Sequence, residues 1–353
     1  MKKLMIITSI ALMWISCTSD NEPQNTEKMY FPSTTDTIWE RISPAKLGWN
    51  TDKIAALNTY LAQKHSKSFM ILVNGRIVME DYYNGHTSTD SWQWNSAGKT
   101  LVASTTGIAE QEGYLNINAK VSNYIGWGWT TETLAKEGLI TVRHLLTMTS
   151  GLNDSSNLVI RPNLTYMADA GTRWSYANVF QKLTDVVAET TGQPFEDYFN
   201  SRLKNKIGMD GFWNFGQIFT IYHSSTRSMA RFGLLALNNG KWNGNQIVNS
   251  DFFTALHSSS QTINPSYGYL CWLNGKSSFM IPGGQIVYSG SLVPNAPADM
   301  FAAMGAEDQR VYVVPSLNMV VVRMGDASDP LNPSFAVSGF DDELWAMINA
   351  VIK

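Results

Sequence analysis

Ser96 and Lys99 stand in the run Asn95-Ser96-Ala97-Gly98-Lys99-Thr100-Leu101. On a helix, residues three apart share a face, so the Lys99 amine can reach the Ser96 hydroxyl. A hydroxyl beside a neutral amine is an activated nucleophile, and burial can depress a lysine far enough to make the neutral form available. The start of a helix also offers free backbone N–H groups and a positive dipole end to a developing oxyanion. The S-x-x-K spacing is common: Ser43 to Lys46 and Ser201 to Lys204 share it. Context separates them. Ser43 precedes Pro44 in a loop, Ser201 lies on a charged stretch, and Ser96 opens an apolar-periodic segment behind Trp92-Gln93-Trp94.

A proton path needs a further hydrogen-bonding group, and Tyr176-Ala177-Asn178 supplies a phenol and an amide. Tyr82, Tyr114 and Tyr198 have the same spacing to an Asn, but Tyr176 follows Gly171-Thr172-Arg173-Trp174-Ser175, a loop running into a helix and able to aim both groups into a cleft. No G-x-S-x-G elbow is present for a Ser-His-Asp triad. His144 sits among apolar residues of a helical pattern and reads as structural. No His/Cys/Asp grouping has metal spacing and no Gly-rich phosphate loop is visible, so neither metal nor cofactor is expected.

The elements that must position these groups follow from pattern. Phe69-Met70-Ile71-Leu72-Val73 and Ile77-Val78-Met79 flank Asn74-Gly75, a hairpin signature. Helical periodicity dominates from about 100 to 238, with Gly113 and Gly192 as stops. Strands return at Tyr269–Leu273, Val311–Val314 and Met319–Met324, and a last helix is expected over about 341–351. Strands, a helical block, strands and a helix imply an α+β fold. In it the sheet forms from about 67–83 and 267–325, the helical block is an inserted lobe, and Ser96 lies in the cleft between them. Trp94, Trp174 and Tyr222 flank the motifs and are candidate pocket walls.

Taken together, the segments resemble the superfamily of serine β-lactamases, penicillin-binding proteins and 6-aminohexanoate-dimer hydrolases, on the side of the class C-related esterases and those hydrolases. The resemblance rests on Asn95–Leu101, on Ile140-Thr141-Val142-Arg143-His144-Leu145-Leu146-Thr147-Met148-Thr149-Ser150-Gly151-Leu152, on Gly171–Asn178, and on Ser225-Thr226-Arg227-Ser228-Met229-Ala230-Arg231-Phe232-Gly233. It covers about residues 45–350. It implies a five-stranded antiparallel sheet flanked by helices, and an acyl-enzyme mechanism. Ser96 would be the nucleophile, Lys99 the base and Tyr176 the proton relay, with Asn178 at the fourth position. The family's late strand carries Lys-Thr-Gly in β-lactamases and a Gly-rich run before Gln in the hydrolase branch. Here the run is Gly305-Ala306-Glu307-Asp308-Gln309, with no cation. A second oxyanion donor at Ala303 or a near neighbour, beside the N–H of Ser96, is expected.

The missing cation favours small-molecule esters or uncharged amides over β-lactams and D-alanyl peptides, because a substrate carboxylate would lack its partner. A β-lactamase or D-alanyl peptidase remains the alternative among enzymes, and a catalytically inactive ligand- or partner-binding member of the fold is the alternative of another class. A serine-reactive probe separates the last from the others.

Composition is that of a globular protein, 44% hydrophobic and 16% charged over 353 residues. A net charge of −3 gives no footprint for nucleic acid. Residues 1–17 read as a signal peptide: Lys2-Lys3, an apolar run from Leu4 to Ile15, then Ser16-Cys17. A small residue before Cys at the end of such a run resembles the bacterial lipoprotein cleavage box, with Trp14 where a Leu is usual. Cys17 would then carry lipid and anchor an exported, cell-envelope protein to a membrane. Residues 18–40 read as a polar tether and 41–353 as the hydrolase domain. Cys271, in an apolar strand-like run, reads as a buried inert thiol.

Overall fold

A computed structural model of the protein describes residues 28–216, 220–333 and 336–353. The signal peptide and Cys17 lie outside the described residues. The centre is a six-stranded antiparallel sheet in the order Arg76–Tyr82, Ser66–Val73, Met319–Gly325, Gln309–Val314, Phe301–Gly305, Trp272–Leu273. The expected hairpin forms its outer pair. Asn74 and Gly75 both adopt positive φ, 47° and 78°, as a two-residue hairpin turn matching strand twist requires.

Alternation along Gln309–Val314 shows how the sheet is covered. A Cβ built on Gly233 would lie 3.0 Å from Val311 and 2.4 Å from Val320, so the helix Thr226–Leu237 packs at contact distance on that face. Tyr312 points the other way, its ring 5.7 Å from Trp345 on the final helix Gly339–Ile352. Both faces are buried, which is why these strands read as near-continuous apolar runs rather than alternating ones.

Ser225 caps the helix Thr226–Leu237, accepting from the Ser228 N–H, and is itself held by Asp210. Thr141 caps Val142–Leu146, and His144 Nδ1 accepts from the Thr141 N–H to complete the capping box. His144 is thus structural, as its neighbours imply, and burial lowers its pKa. Cys271 is buried and burial pushes its thiol up to about 12, in keeping with an inert group.

The structure departs from the sequence reading in three places. The sheet has six strands because the short Trp272–Leu273 adds to Phe301–Gly305, while the expected strand over 269–273 shrinks to those two residues. Within the segment expected to be helical, Thr220–Ser224 pairs with Phe212–Phe215 on one side and with Trp92–Gln93 on the other, forming a second, three-stranded sheet. Finally, residues 30–40 are not tether. The Tyr30 N–H donates to the Asn74 carbonyl at 3.0 Å, and buried Trp39 donates its indole N–H to the Gly75 carbonyl at 2.7 Å. Burial of Trp39 and Ile42 against the hairpin turn starts the domain about ten residues earlier than polarity suggested.

Candidate active site

The turn Asn95–Gly98 is a 3-10 segment that runs directly into the helix Lys99–Gln111. Asn95 has φ +49°, and its side-chain amide donates to the Ala306 carbonyl at 2.9 Å, fixing the turn to the end of the strand Phe301–Gly305. The helix is buried along most of its length despite four hydroxyl residues. Ser104, Thr105 and Thr106 each return a hydrogen bond to the carbonyl four residues back, and Thr100 bonds Ala97, so no hydroxyl is buried unpaired. The ionisable residue of this helix at the pocket is Lys99.

Lys99 Nζ donates to Ser96 Oγ at 2.6 Å; a neutral amine at that separation accepts instead. Burial lowers the Lys99 pKa to about 7, with no carboxylate acting against it. The amine lies over two rings, 4.7 Å from the centroid of Tyr176 and 4.5 Å from that of Phe180. Burial raises the Tyr176 phenol to about 12, opposed by nearby Ser96 and Trp272. The Tyr176 hydroxyl is buried with no hydrogen bond of good geometry, so it is free to donate into the site. Burial lowers the amine and raises the phenol, so at neutral pH the arrangement can offer a neutral amine as base and a protonated phenol as donor.

A cavity of about 220 Å³ opens on these groups. Its walls are Gln93, Asn95, Ser96 and Lys99 from the nucleophile segment, Asn178, Phe180 and Gln181 from the helical lobe, Trp213, Thr220 and Ile221 from the small sheet, and Ala306 and Glu307 from the late turn. The structure thus brings together Ser96, Lys99, Tyr176 and Asn178. The Asn178 amide, however, donates to the Asn157 carbonyl at 3.1 Å, tying it to its own lobe.

Four expected positions are not at the cavity. Ala303 pairs with Val311 inside the sheet and faces an interior gap lined by Thr100, Phe232 and Val313. The strand runs two residues further before the chain turns, and Ala306 is the residue that lines the site. A Cβ on Gly305 would sit 3.0 Å from the Ser96 nitrogen and 2.5 Å from the Trp94 carbonyl, which shows how closely this strand end approaches the nucleophile. Trp94, Trp174 and Tyr222 support the walls from behind. Trp94 donates its indole N–H to Ser224 Oγ at 2.8 Å and meets Tyr222 edge to face. The Tyr222 hydroxyl donates to the Asp210 carbonyl at 2.5 Å. Trp174 is fully buried in a four-ring cluster with Tyr176, Tyr267 and Trp272, which fixes the Tyr176 ring. The aromatic walls are instead Phe180 and Trp213. Phe180 was within reach of sequence reasoning, two residues beyond Asn178; Trp213 lies in a strand the helical pattern concealed.

The late turn is clamped from behind. Arg323 Nη1 donates to the carbonyls of Glu307 at 2.7 Å and Asp308 at 3.2 Å, and Arg310 Nη1 to that of Gly305 at 2.7 Å. Arg310 is itself buried between Asp308 and Asp341. Among the described residues no group of His, Cys, Asp and Glu is arranged to hold a metal ion.

Similar chains and folds are found among known proteins. An uncharacterized protein of Alkalihalophilus pseudofirmus is 26% identical over 296 residues, covering 72% of this chain and 82% of that one. A Bacillus anthracis structure described as a "Putative 6-aminohexanoate-dimer hydrolase" superposes with a TM-score of 0.67 at 16% identity, covering 92% of this chain and 89% of the other. A family VIII carboxylesterase superposes with a TM-score of 0.64 at 13% identity, covering 87% and 96%. The family model described as Beta-lactamase matches residues 56–325, a span holding Ser96, Lys99, Tyr176 and the late turn, so the chain belongs to the Beta-lactamase family and is a serine hydrolase.

Proposed function

We propose that the protein hydrolyses small ester or uncharged amide substrates through an acyl-enzyme on Ser96. The observation that carries this reading is the 2.6 Å contact between Ser96 Oγ and a lysine amine whose burial brings its pKa to about 7. Neutral Lys99 takes the Ser96 proton as Oγ bonds the carbonyl carbon. The N–H groups of Ser96 and Ala306 hold the oxyanion. Collapse breaks the bond to the alkoxide or amine, which receives its proton through Tyr176. Water then attacks the acyl-enzyme, giving its proton to the same relay, and returns Ser96 as the acid leaves.

Ester or neutral-amide preference is supported by the late turn, which presents Glu307 to the cavity and no cation. The carboxylate of a β-lactam would face it unpaired. The family carboxylesterase neighbour is consistent with this choice. The experiment is a fluorophosphonate probe followed by a short-chain aryl ester. Labelling of the parent and not of Ser96→Ala, with ester turnover abolished in that variant, is expected. Undiminished turnover in Ser96→Ala, or faster turnover of a β-lactam than of the ester, contradicts the reading.

The N-terminal segment supports a second element of the proposal: export and lipid attachment at Cys17, in the envelope of a bacterium. Among the described residues no helix is long and apolar enough to cross a membrane.

A further inference from the structure

We infer that Glu307 is a specificity residue that selects substrates carrying a positive charge close to the scissile carbonyl, such as ammonium-bearing esters. This rests on the hydrolase reading above and narrows its substrate class.

The cavity walls hold two ionisable side chains, Lys99 and Glu307. Lys99 must be neutral to act, so the working site carries one formal charge, and it is negative. Among the described residues Glu307 has no cationic partner; its one side-chain contact is the Gln93 amide, which donates to Oε2 at 2.5 Å. Among the described residues no other hydrogen bond engages this carboxylate, and Glu307 lines the cavity. Trp213 and Phe180 line the same cavity, and aromatic rings attract cations. A carboxylate beside aromatic faces is the chemistry of ammonium recognition, and the same carboxylate repels an anionic substrate.

Backbone geometry gives a second, independent reason. Glu307 sits at φ +58°, ψ +29°, in the left-handed region that glycine occupies without penalty and a side chain does not. Its neighbour Asp308, also at φ +58°, has a structural use, since it pairs with Arg310 and accepts from Ser328 and Ser338. Glu307 has no such role in the core. The turn is held in this conformation by Arg323 on the Glu307 carbonyl and by the Gln309 amide on the same atom at 3.1 Å, so the strain is sustained while the side chain faces the cavity.

Two matched pairs test this in the full-length protein. On the acyl side, the 4-nitrophenyl ester of 4-(trimethylammonio)butanoate is compared with its carbon isostere, the 5,5-dimethylhexanoate, and with the anionic glutarate monoester. On the alcohol side, butyrylcholine is compared with 3,3-dimethylbutyl butyrate. In at least one pair the cationic member should have the higher kcat/KM, on the order of 10-fold, with the glutarate ester slowest. The preference should shrink in 0.5 M salt by screening. In Glu307→Gln the cation-to-neutral ratio should fall towards one, and in Glu307→Lys it should invert in favour of glutarate. Because each result is a ratio within one variant, a loss common to all substrates does not imitate it. No charge preference in either pair, or a preference unchanged in Glu307→Gln, overturns the inference while ester turnover leaves the hydrolase reading standing. Failure to turn over any ester, with Ser96 unlabelled by fluorophosphonate, overturns both.

Discussion

At the scale of single residues, Lys99 joins two requirements that oppose each other. A base near pH 7 needs an amine that is buried, and burying it costs stability whenever the amine is protonated in the unfolded chain. The folded pKa of about 7 lies below the ordinary 10.5, so the unfolded state binds more protons between those values and stability rises with pH across that window. At pH 7 the cost is about 4 kcal/mol. Lys99→Met keeps the length and removes the charge. It should abolish ester turnover while raising the melting temperature at pH 7, and the gain should diminish towards pH 10; a lower melting temperature at pH 7 would contradict the burial argument. The same pKa sets the activity profile. The kcat/KM of the parent should rise with pH and level off above about pH 7, because the unprotonated amine is the active form. Tyr176, pushed up to about 12, stays protonated throughout this range. Tyr176→Phe should lower kcat on the order of 10²–10⁴-fold, typical of losing a general acid–base group, while leaving fluorophosphonate labelling of Ser96 measurable.

At the scale of elements, the site depends on how the turn Asn95–Gly98 meets the end of the strand Phe301–Gly305. Gly305 has an ordinary extended φ of −129°, so no backbone conformation demands glycine there; the demand is for space. A methyl group would press on the Trp94 carbonyl at 2.5 Å and the Ala97 nitrogen at 2.8 Å, both backbone atoms with little freedom to yield. Gly305→Ala should separate strand from turn, lowering kcat/KM for an aryl ester at least 10-fold with a loss of stability of about 1–3 kcal/mol, measured by urea unfolding. These junctions also mark what the sequence made legible. The hairpin was readable because Asn74-Gly75 is a local signal, and the nucleophile segment because its spacing is local too. Ala303, expected with its near neighbours at the cavity, lies inside the sheet and Ala306 lines the cavity instead, because strand length is set by pairing with Gln309–Val314, not by the strand's own residues. The three-stranded sheet was hidden for the same reason: Trp92–Gln93 pairs with a segment over a hundred residues away, and its two residues carry no period. Trp94, Trp174 and Tyr222 were adjacent to motifs in sequence, yet large aromatics gain more from full burial than from lining a wet cavity, and the fold uses them as support.

At the scale of the whole molecule, the site is assembled from distant parts of one chain, and the proposed lipid anchor at Cys17 would set where that site works. The described domain begins with residues 28–42 laid against the sheet hairpin: the Lys28 carbonyl accepts from Arg76, the Tyr30 N–H donates to the Asn74 carbonyl and the Trp39 indole donates to the Gly75 carbonyl. That docking shortens the free linker implied by sequence polarity. Between Cys17 and Lys28 the chain can span at most about 40 Å even when fully extended. An anchor on Cys17 would therefore keep Lys28, where the described domain starts, within about 40 Å of the membrane surface. Several acyl chains on one cysteine would hold the protein stably, whereas a single chain would hold it marginally. Replacing Cys17 with Ser in the full-length protein should move it from the membrane fraction to the soluble fraction of the cell envelope. Because the described domain's contacts start at Lys28, whose carbonyl accepts from Arg76, its ester turnover per molecule should be unchanged. Equal membrane association of Cys17→Ser and parent would rule out the lipid anchor. Release from the membrane accompanied by loss of activity would instead show that the segment before residue 28 contributes to the fold.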